Sequence, residues 1–189
     1  MPIKIYIDQG HNPSGFNTGA EGNGFYEQDI TFEIGRRLYT LFLSNPEFTP
    51  RLSRPTADTI LGTSNSTSLT ARVNEANSWP ADIFISLHTN AAENTNASGI
   101  EALVYGPGAE VANELAEDIL EELTLTTGLR NRGIVYRPGL YVLKETTMPA
   151  VLVEMGFISN PYDAELLAYS PELFATGIYR GILAYYDLL

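Results

Sequence analysis

The chain has two histidines, and each lies just past a short apolar run. His11 follows residues 3–8, IKIYID, and the pair Gln9-Gly10; His88 directly follows residues 82–87, DIFISL. A third run, residues 150–153, AVLV, ends at Glu154. Zinc accepts imidazole nitrogen and carboxylate oxygen as ligands. With no cysteine in the chain, those are the donors any metal here must use. The same groups also move protons in hydrolytic reactions. If the three runs are strands of one parallel sheet, the three side chains gather at its carboxyl edge. Open α/β sheets bind their ligands there. The expectation is an enzyme, and a metalloenzyme in particular.

Each residue also has a plain structural reading. A histidine at a strand end is commonly an ordinary hydrogen-bonded residue. Glu154 closes a wholly apolar run, so burial demands a partner, with Arg72 and Arg132 as the candidates for an ion pair. Glu27 opens a predicted helix, where an acid is favoured by ~0.3–1 kcal/mol. The residues alone do not separate Glu27 from Glu21 as a third ligand. Asn90 stands two residues past His88 and suits either substrate orientation or capping of the local turn.

Several elements must position these groups. Residues 3–8 alternate and read as a strand; the Gly/Asn-rich stretch after them is a loop. The spacing of Ile30, Ile34, Leu38, Leu41 and Phe42 predicts a helix over 27–43 that ends at Asn45-Pro46. Residues 48–53 form a weaker strand, and Pro50 confines it to an edge. Residues 54–67 are polar and aperiodic, a surface loop or insertion. A short helix is predicted over 68–78, capped by Thr67 or Ser68. Residues 82–87 are a buried strand, 100–105 another, and 109–126 a long helix. Residues 141–144 and 150–155 read as two further strands. The gap between them is too short for a parallel crossover, so one antiparallel member is expected. Asn160-Pro161 and Ser170-Pro171 each open a closing helix. In the last helix Gly177 and Gly181 share the face of Phe174, Ile178, Ile182 and Tyr185, which predicts close packing onto the sheet. The fold class is α/β: a single domain with a mostly parallel sheet and helices on both faces.

Composition narrows the function. The 189 residues are near the size of one domain and show no linker. Without cysteine there is no disulfide framework, thiolate site or cysteine nucleophile. A net charge of −12, from 23 acids against 11 bases, repels phosphate backbones and anionic membrane surfaces. No nucleic acid partner and no membrane insertion are expected. The opening apolar run is far too short for a signal-peptide core, so no export signal is expected in the chain.

The motifs carry a resemblance. Ile7-Asp-Gln-Gly-His11-Asn-Pro13, Gly22-Asn-Gly-Phe-Tyr-Glu27-Gln-Asp-Ile30, Leu69-Thr-Ala-Arg72-Val-Asn-Glu-Ala-Asn77 and Ala81-Asp-Ile-Phe-Ile-Ser-Leu-His88-Thr-Asn90-Ala91 follow one another in order. Asn131-Arg132-Gly133 and Met148-Pro-Ala-Val-Leu-Val-Glu154-Met-Gly-Phe-Ile-Ser-Asn160 complete the set. Together they resemble the zinc-dependent N-acetylmuramoyl-L-alanine amidases, the type 3 family of cell-wall hydrolases, across nearly the whole chain. Gln9 departs from the family's usual proline, and the 54–67 stretch is longer and more polar than the family pattern. The resemblance implies one Zn²⁺ per chain, with His11, Glu27 and His88 as ligands and Glu154 as the catalytic acid/base. It implies a six-stranded, mostly parallel sheet, with residues 1–189 as one catalytic domain. It also implies hydrolysis, at the bacterial cell wall, of the amide joining N-acetylmuramic acid to L-alanine in peptidoglycan. Asn90 and Arg132 become candidates for substrate binding, Arg132 through carboxylates of the stem peptide or, equally, as the partner of a nearby acid. A monomer is expected. Two other readings stay open: a non-catalytic peptidoglycan-binding module of the same fold, and a zinc peptidase acting on another amide.

Overall fold

The computed structural model describes residues 1–189. A short edge strand, a core strand and a helix open the architecture: β1 (Ile3–Gln9), α1 (Glu27–Leu43) and β4 (Phe48–Leu52), with a small hairpin, β2 (Glu21–Gly22) and β3 (Phe25–Tyr26), inserted before α1. The chain continues through α2 (Asn65–Ser78), β5 (Ile83–Asn90), β6 (Ile100–Val104), α3 (Glu110–Thr127) and β7 (Asn131–Tyr136). It closes with α4 (Tyr141–Lys144), β8 (Ala150–Phe157), α5 (Pro161–Tyr169) and α6 (Pro171–Tyr185). The main sheet has six strands in the order β4-β1-β5-β8-β6-β7. Every neighbouring pair is parallel except β6 against β8; β7 in turn runs parallel to β6.

Side-chain alternation sorts the two faces. Ile5, Ile7, Ile83, Ile85, Leu87, Ala102, Val151 and Val153 point to one side, where α1, α3 and α6 cover them with Ile34, Leu38, Leu115, Ile119, Phe174 and Ile178. The opposite residues Tyr6, Phe84, Leu103 and Leu152 meet Val73 of α2 and Val142 and Leu143 of α4. A strand with apolar residues on both faces reads as a nearly continuous apolar run, as parallel sheets require.

The antiparallel relation is present, but residues 141–144 do not supply it. They form the short helix α4, not a strand. Adjacent Val142 and Leu143 are both buried; in a strand they would face opposite sides. A four-residue apolar run cannot be assigned by period alone. Helix α2 begins at Asn65, three residues before the predicted start. Its cap is Ser64, which with Thr67 forms a reciprocal capping box, so Thr67 sits inside the helix instead of capping it. The stretch before it is a surface loop as expected, and it is anchored at its start. Arg54 is buried, its backbone N–H donating to Gln9 Oε1 (2.9 Å) and its guanidinium to the carbonyls of Gln28 (2.9 Å) and Ala57 (3.2 Å). Gln9 thereby ties β1 to this stretch, and its amide also donates to the Phe32 carbonyl. Gly35 makes room for it: a Cβ there would lie 2.4 Å from Gln9 Cγ.

Helix α6 is where expected, with Phe174, Ile178 and Ile182 buried, but its glycines pack on a helix and not on the sheet. A Cβ at Gly177 would lie 2.9 Å from Leu123 Cα, and one at Gly181 2.5 Å from Ile119 Cα, both in α3. The Asn160 side chain caps α5 as predicted, accepting from Asp163 N–H; Ser170 precedes Pro171 of α6 but makes no side-chain cap bond.

Candidate active site

The end of β1, the end of β5 and the first turn of α1 converge. His11 sits two residues past β1 with a backbone φ of 69°, the left-handed region that a residue with a Cβ seldom occupies. Its backbone is held from below by a buried strut. Arg72 of α2 donates to the carbonyls of Gln9 and His11, each at 2.6 Å, and to Asp8 Oδ1 at 2.5 Å. Asp8 Oδ2 accepts from Ser86 at 2.7 Å. Burial pushes the Asp8 carboxyl up, but the Arg72 charge and the hydrogen bonds from Arg72 and Ser86 outweigh it, so the group stays below its ordinary range. Thr31 adds a bond from α1 to the Gly10 carbonyl (2.8 Å). The loop carrying His11 is therefore fixed by β1, α1 and α2 together.

Glu27 is the first residue of α1 and is buried. Its Oε1 lies 3.1 Å from His11 Nε2 and 3.0 Å from His88 Nδ1, and accepts from Thr89 N–H (3.0 Å); its Oε2 accepts from Ala20 N–H (2.9 Å). Burial raises the carboxyl's pKa, yet the hydrogen bonds and charges of the two histidines win and hold it well below the usual carboxylate range. The two imidazoles stand edge to face with centroids 4.8 Å apart. One donor atom from each of His11, Glu27 and His88 lies within 4.8 Å of the other two. Ligands at ~2.0–2.1 Å from a tetrahedral cation lie about 3.3 Å from one another, close to the 3.1 and 3.0 Å between Glu27 Oε1 and the two histidine nitrogens. Two glycines clear the space. A Cβ at Gly10 would lie 2.6 Å from His88 Cε1, and one at Gly19 2.7 Å from Glu27 Cβ and 2.9 Å from the His11 ring. The residues present therefore fit a small divalent cation. Glu21 lies in the hairpin strand β2 and is exposed, outside this group.

Glu154 is the register partner of His88 on β8. Neither proposed ion-pair partner reaches it: Arg72 is committed to Asp8 and Arg132 to Glu101. Its Oε2 is buried without a hydrogen-bond partner, although the residue as a whole is partly exposed. Burial, reinforced by the charges of Glu27 and Glu101, pushes the carboxyl up to about 8. It is thus mostly protonated at neutral pH with no cation beside it.

The substrate-binding candidates both contact Glu101, the residue opposite Glu154 on β6. Asn90 Nδ2 donates to Glu101 Oε1 (2.9 Å), while its Oδ1 accepts from Ala91 N–H, the local turn bond weighed from sequence. Arg132 Nε donates to Glu101 Oε2 (3.0 Å), and its guanidinium stacks 4.9 Å over the Phe157 ring. Glu101 is opposite Glu154 in the β6–β8 register. Sequence reasoning missed it, and it missed Asp8 as an anchor. For Asp8 a signal existed: like Glu154, it is an acid terminating an apolar run.

Fold and site together define an α/β domain with a cation-competent His–Glu–His group at a sheet edge and an un-ionised carboxyl beside it. The N-acetylmuramoyl-L-alanine amidase family model matches residues 5–184. The chain belongs to that family. It is 38% identical over 180 residues to N-acetylmuramoyl-L-alanine amidase CwlM of Bacillus licheniformis, a match covering 95% of this chain and 65% of that protein. It is 37% identical over 188 residues to N-acetylmuramoyl-L-alanine amidase LytC of Bacillus subtilis (strain 168), covering 96% of this chain and 35% of LytC. The chain thus spans 65% and 35% of the lengths of these two relatives. Among solved structures, an N-acetylmuramoyl-L-alanine amidase from Clostridium difficile 630 superposes with a TM-score of 0.88 at 30% identity, covering 98% of this chain and 97% of that one. The catalytic domain of CwlV from Bacillus (Paenibacillus) polymyxa var. colistinus gives 0.85 at 29% identity and covers 99% of both chains.

Proposed function

We propose that residues 1–189 form a catalytic domain that hydrolyses the amide between N-acetylmuramic acid and L-alanine in bacterial peptidoglycan. His11, Glu27 and His88 hold a Zn²⁺ ion, and Glu154 is the acid/base. The observation that carries this reading is the unpartnered carboxyl of Glu154, register partner of His88, in a member of the amidase family. Zinc, when bound, supplies Lewis-acid polarisation of a carbonyl and a water acidic enough to attack near neutral pH.

The chain's own residues do the rest. Thr89 N–H and Ala20 N–H fix the Glu27 carboxylate, and the Arg72 strut fixes the His11 backbone, so the donor group is preorganised. Glu154 moves the protons, taking one from the attacking water and delivering it to the departing alanine amine. Its raised pKa suits that task. With positive charge bound nearby the carboxyl shifts back down, toward the neutral range in which an acid/base group works at pH 7. A positioned group of this kind contributes ~10²–10⁴-fold.

The test is digestion of purified cell walls. Peptides with free alanine amines should appear without new reducing sugar ends. Chelation should stop their release, and added zinc should restore it. Equal release after thorough metal stripping overturns the reading.

A further inference from the structure

Side-chain alternation places a row of polar groups across four adjacent strands. His88, Glu154 and Glu101 are consecutive register partners on β5, β8 and β6, and Arg132 on β7 closes the row by pairing with Glu101. The β6–β7 register shifts at this point, with Ile100 opposite Asn131 and Ala102 opposite Ile134, so the ion pair with Glu101 is what fixes the direction of Arg132. The guanidinium therefore belongs to the face that carries Glu154. It is held at three points: Nε by Glu101 Oε2, Nη1 toward the Ser98 carbonyl (3.4 Å), and the plane over Phe157. Glu101 is itself fixed by Asn90. These contacts leave Nη2 and one N–H of Nη1 without a protein partner, on an arginine whose side chain is partly exposed.

We propose that Arg132 is a specificity residue that binds a carboxylate on the leaving peptide, one or two residues beyond the scissile amide. This rests on the amidase reading above. Arginine presents a planar fork matched to carboxylate, and a fork already oriented loses less entropy on binding. Arg132 lies two strands from Glu154, a backbone separation of about 10 Å at ~4.8 Å per strand. An extended peptide advances ~3.4 Å per residue, and the arginine side chain covers part of the remainder. The muramoyl side of the amide carries no free carboxylate, because the lactyl carboxyl is the acylating group. The acid must therefore come from the peptide. A free carboxylate at this point is favoured over a carboxamide, which cannot accept two charge-assisted bonds.

Two synthetic N-acetylmuramoyl dipeptides, identical except for a free carboxylate or a carboxamide on the second residue, test this with the zinc-loaded protein. Wild type should cleave the acidic substrate with a kcat/KM on the order of tenfold higher, mostly through KM. Arg132→Gln should bring that ratio close to one by slowing the acidic substrate alone. Arg132→Lys should give an intermediate ratio. An unchanged ratio in Arg132→Gln, or an equal loss on both substrates, overturns the proposal and leaves Arg132 as a structural partner of Glu101. Should wild type cleave neither substrate, the amidase reading fails separately. Calorimetry on the Glu154→Gln protein, with and without Arg132→Gln, then decides the anchor. Tighter binding of the acidic dipeptide that depends on Arg132 supports it, and equal binding of both dipeptides overturns it.

Discussion

Glu154→Gln should make the metal-free protein more stable at alkaline pH while leaving it unchanged near pH 5. The folded state lifts the Glu154 carboxyl from 4.5 to about 8 through burial and the charges of Glu27 and Glu101. Between those two values the native state binds a proton that the unfolded state has released. Stability therefore falls as pH rises through the window, and the loss is complete above the folded value. At ~1.36 kcal/mol per pKa unit the ceiling is about 5 kcal/mol. Partial exposure of the residue and local relaxation bring the expectation to about 3 kcal/mol. A domain of this size shifts its melting point by ~2–4 °C per kcal/mol, so the variant should melt about 6–12 °C above wild type at pH 9. Thermal and urea unfolding of chelated wild type and variant at pH 5, 7 and 9 measures it. Saturating zinc should narrow the gap, since nearby positive charge stabilises the carboxylate. A difference that stays flat from pH 5 to 9 refutes the argument. A variant less stable than wild type at pH 9 would show that the carboxylate has a partner.

Arg72→Met should destabilise the chain by about 3–5 kcal/mol in urea unfolding, because it leaves Asp8 buried and unpaired; a loss under 1 kcal/mol would mean that water reaches Asp8. In wild type the lowered Asp8 pKa gives stability that is present above the ordinary carboxylate range and lost as pH falls through the folded value. Gly181→Ala should also destabilise, by about 1–3 kcal/mol, since the new methyl meets α3 backbone at Ile119 Cα and Asp118 O, 2.5 and 2.8 Å away. Helix propensity alone favours alanine there by about 1 kcal/mol, so a rise in melting point would show that the helices separate easily. Elemental analysis of purified protein should find one zinc per chain in wild type and Glu154→Gln but little in His88→Ala; full zinc in the last would remove His88 from the ligand set.

Much of this site is legible in the sequence because its key residues break a pattern. In AVLVE and IKIYID an acid ends a run that otherwise buries; Asp8 proves to be a buried carboxylate, and Glu154 a partly exposed carboxyl with one buried oxygen. Asp8 found Arg72 and Ser86; Glu154 found nothing. Local sequence shows the anomaly, but it cannot say whether a partner arrives from a distant helix. Glu27 was ambiguous for the same reason. A helix N-terminus tolerates an acid for its own sake, and only the long-range approach of His11 and His88 separates it from Glu21. Residues 141–144 misled because four apolar or amphipathic residues contain less than two helical turns, too little to express a period. Gly177 and Gly181 correctly announced a close approach. Their partner was α3 because α6 covers that helix as well as the sheet, a matter of packing angle that no single segment encodes.

The order of the strands explains why the chemistry collects on one side. A parallel pair places residues of the same register side by side, so His88 and Glu154 become neighbours as soon as β5 and β8 pair. The switch to antiparallel at β6 keeps alternation intact but reverses the chain, so Glu101 reaches Glu154 from the opposite direction, close to the start of its strand. That places a second carboxylate against the first. In an all-parallel edge a strand start would not lie at the carboxyl end. Glu101 adds its charge to the burial that already disfavours an ionised Glu154, and it is held in place by Arg132 and Asn90. The reversed edge of the sheet thus does two things at once. It adds to the cost of ionising the Glu154 carboxyl, which burial mainly sets, and it presents an oriented arginine on the same face. A one-residue slip of β6 would turn Glu101 to the α3 side, taking its charge away from Glu154 and its carboxylate away from Arg132 together.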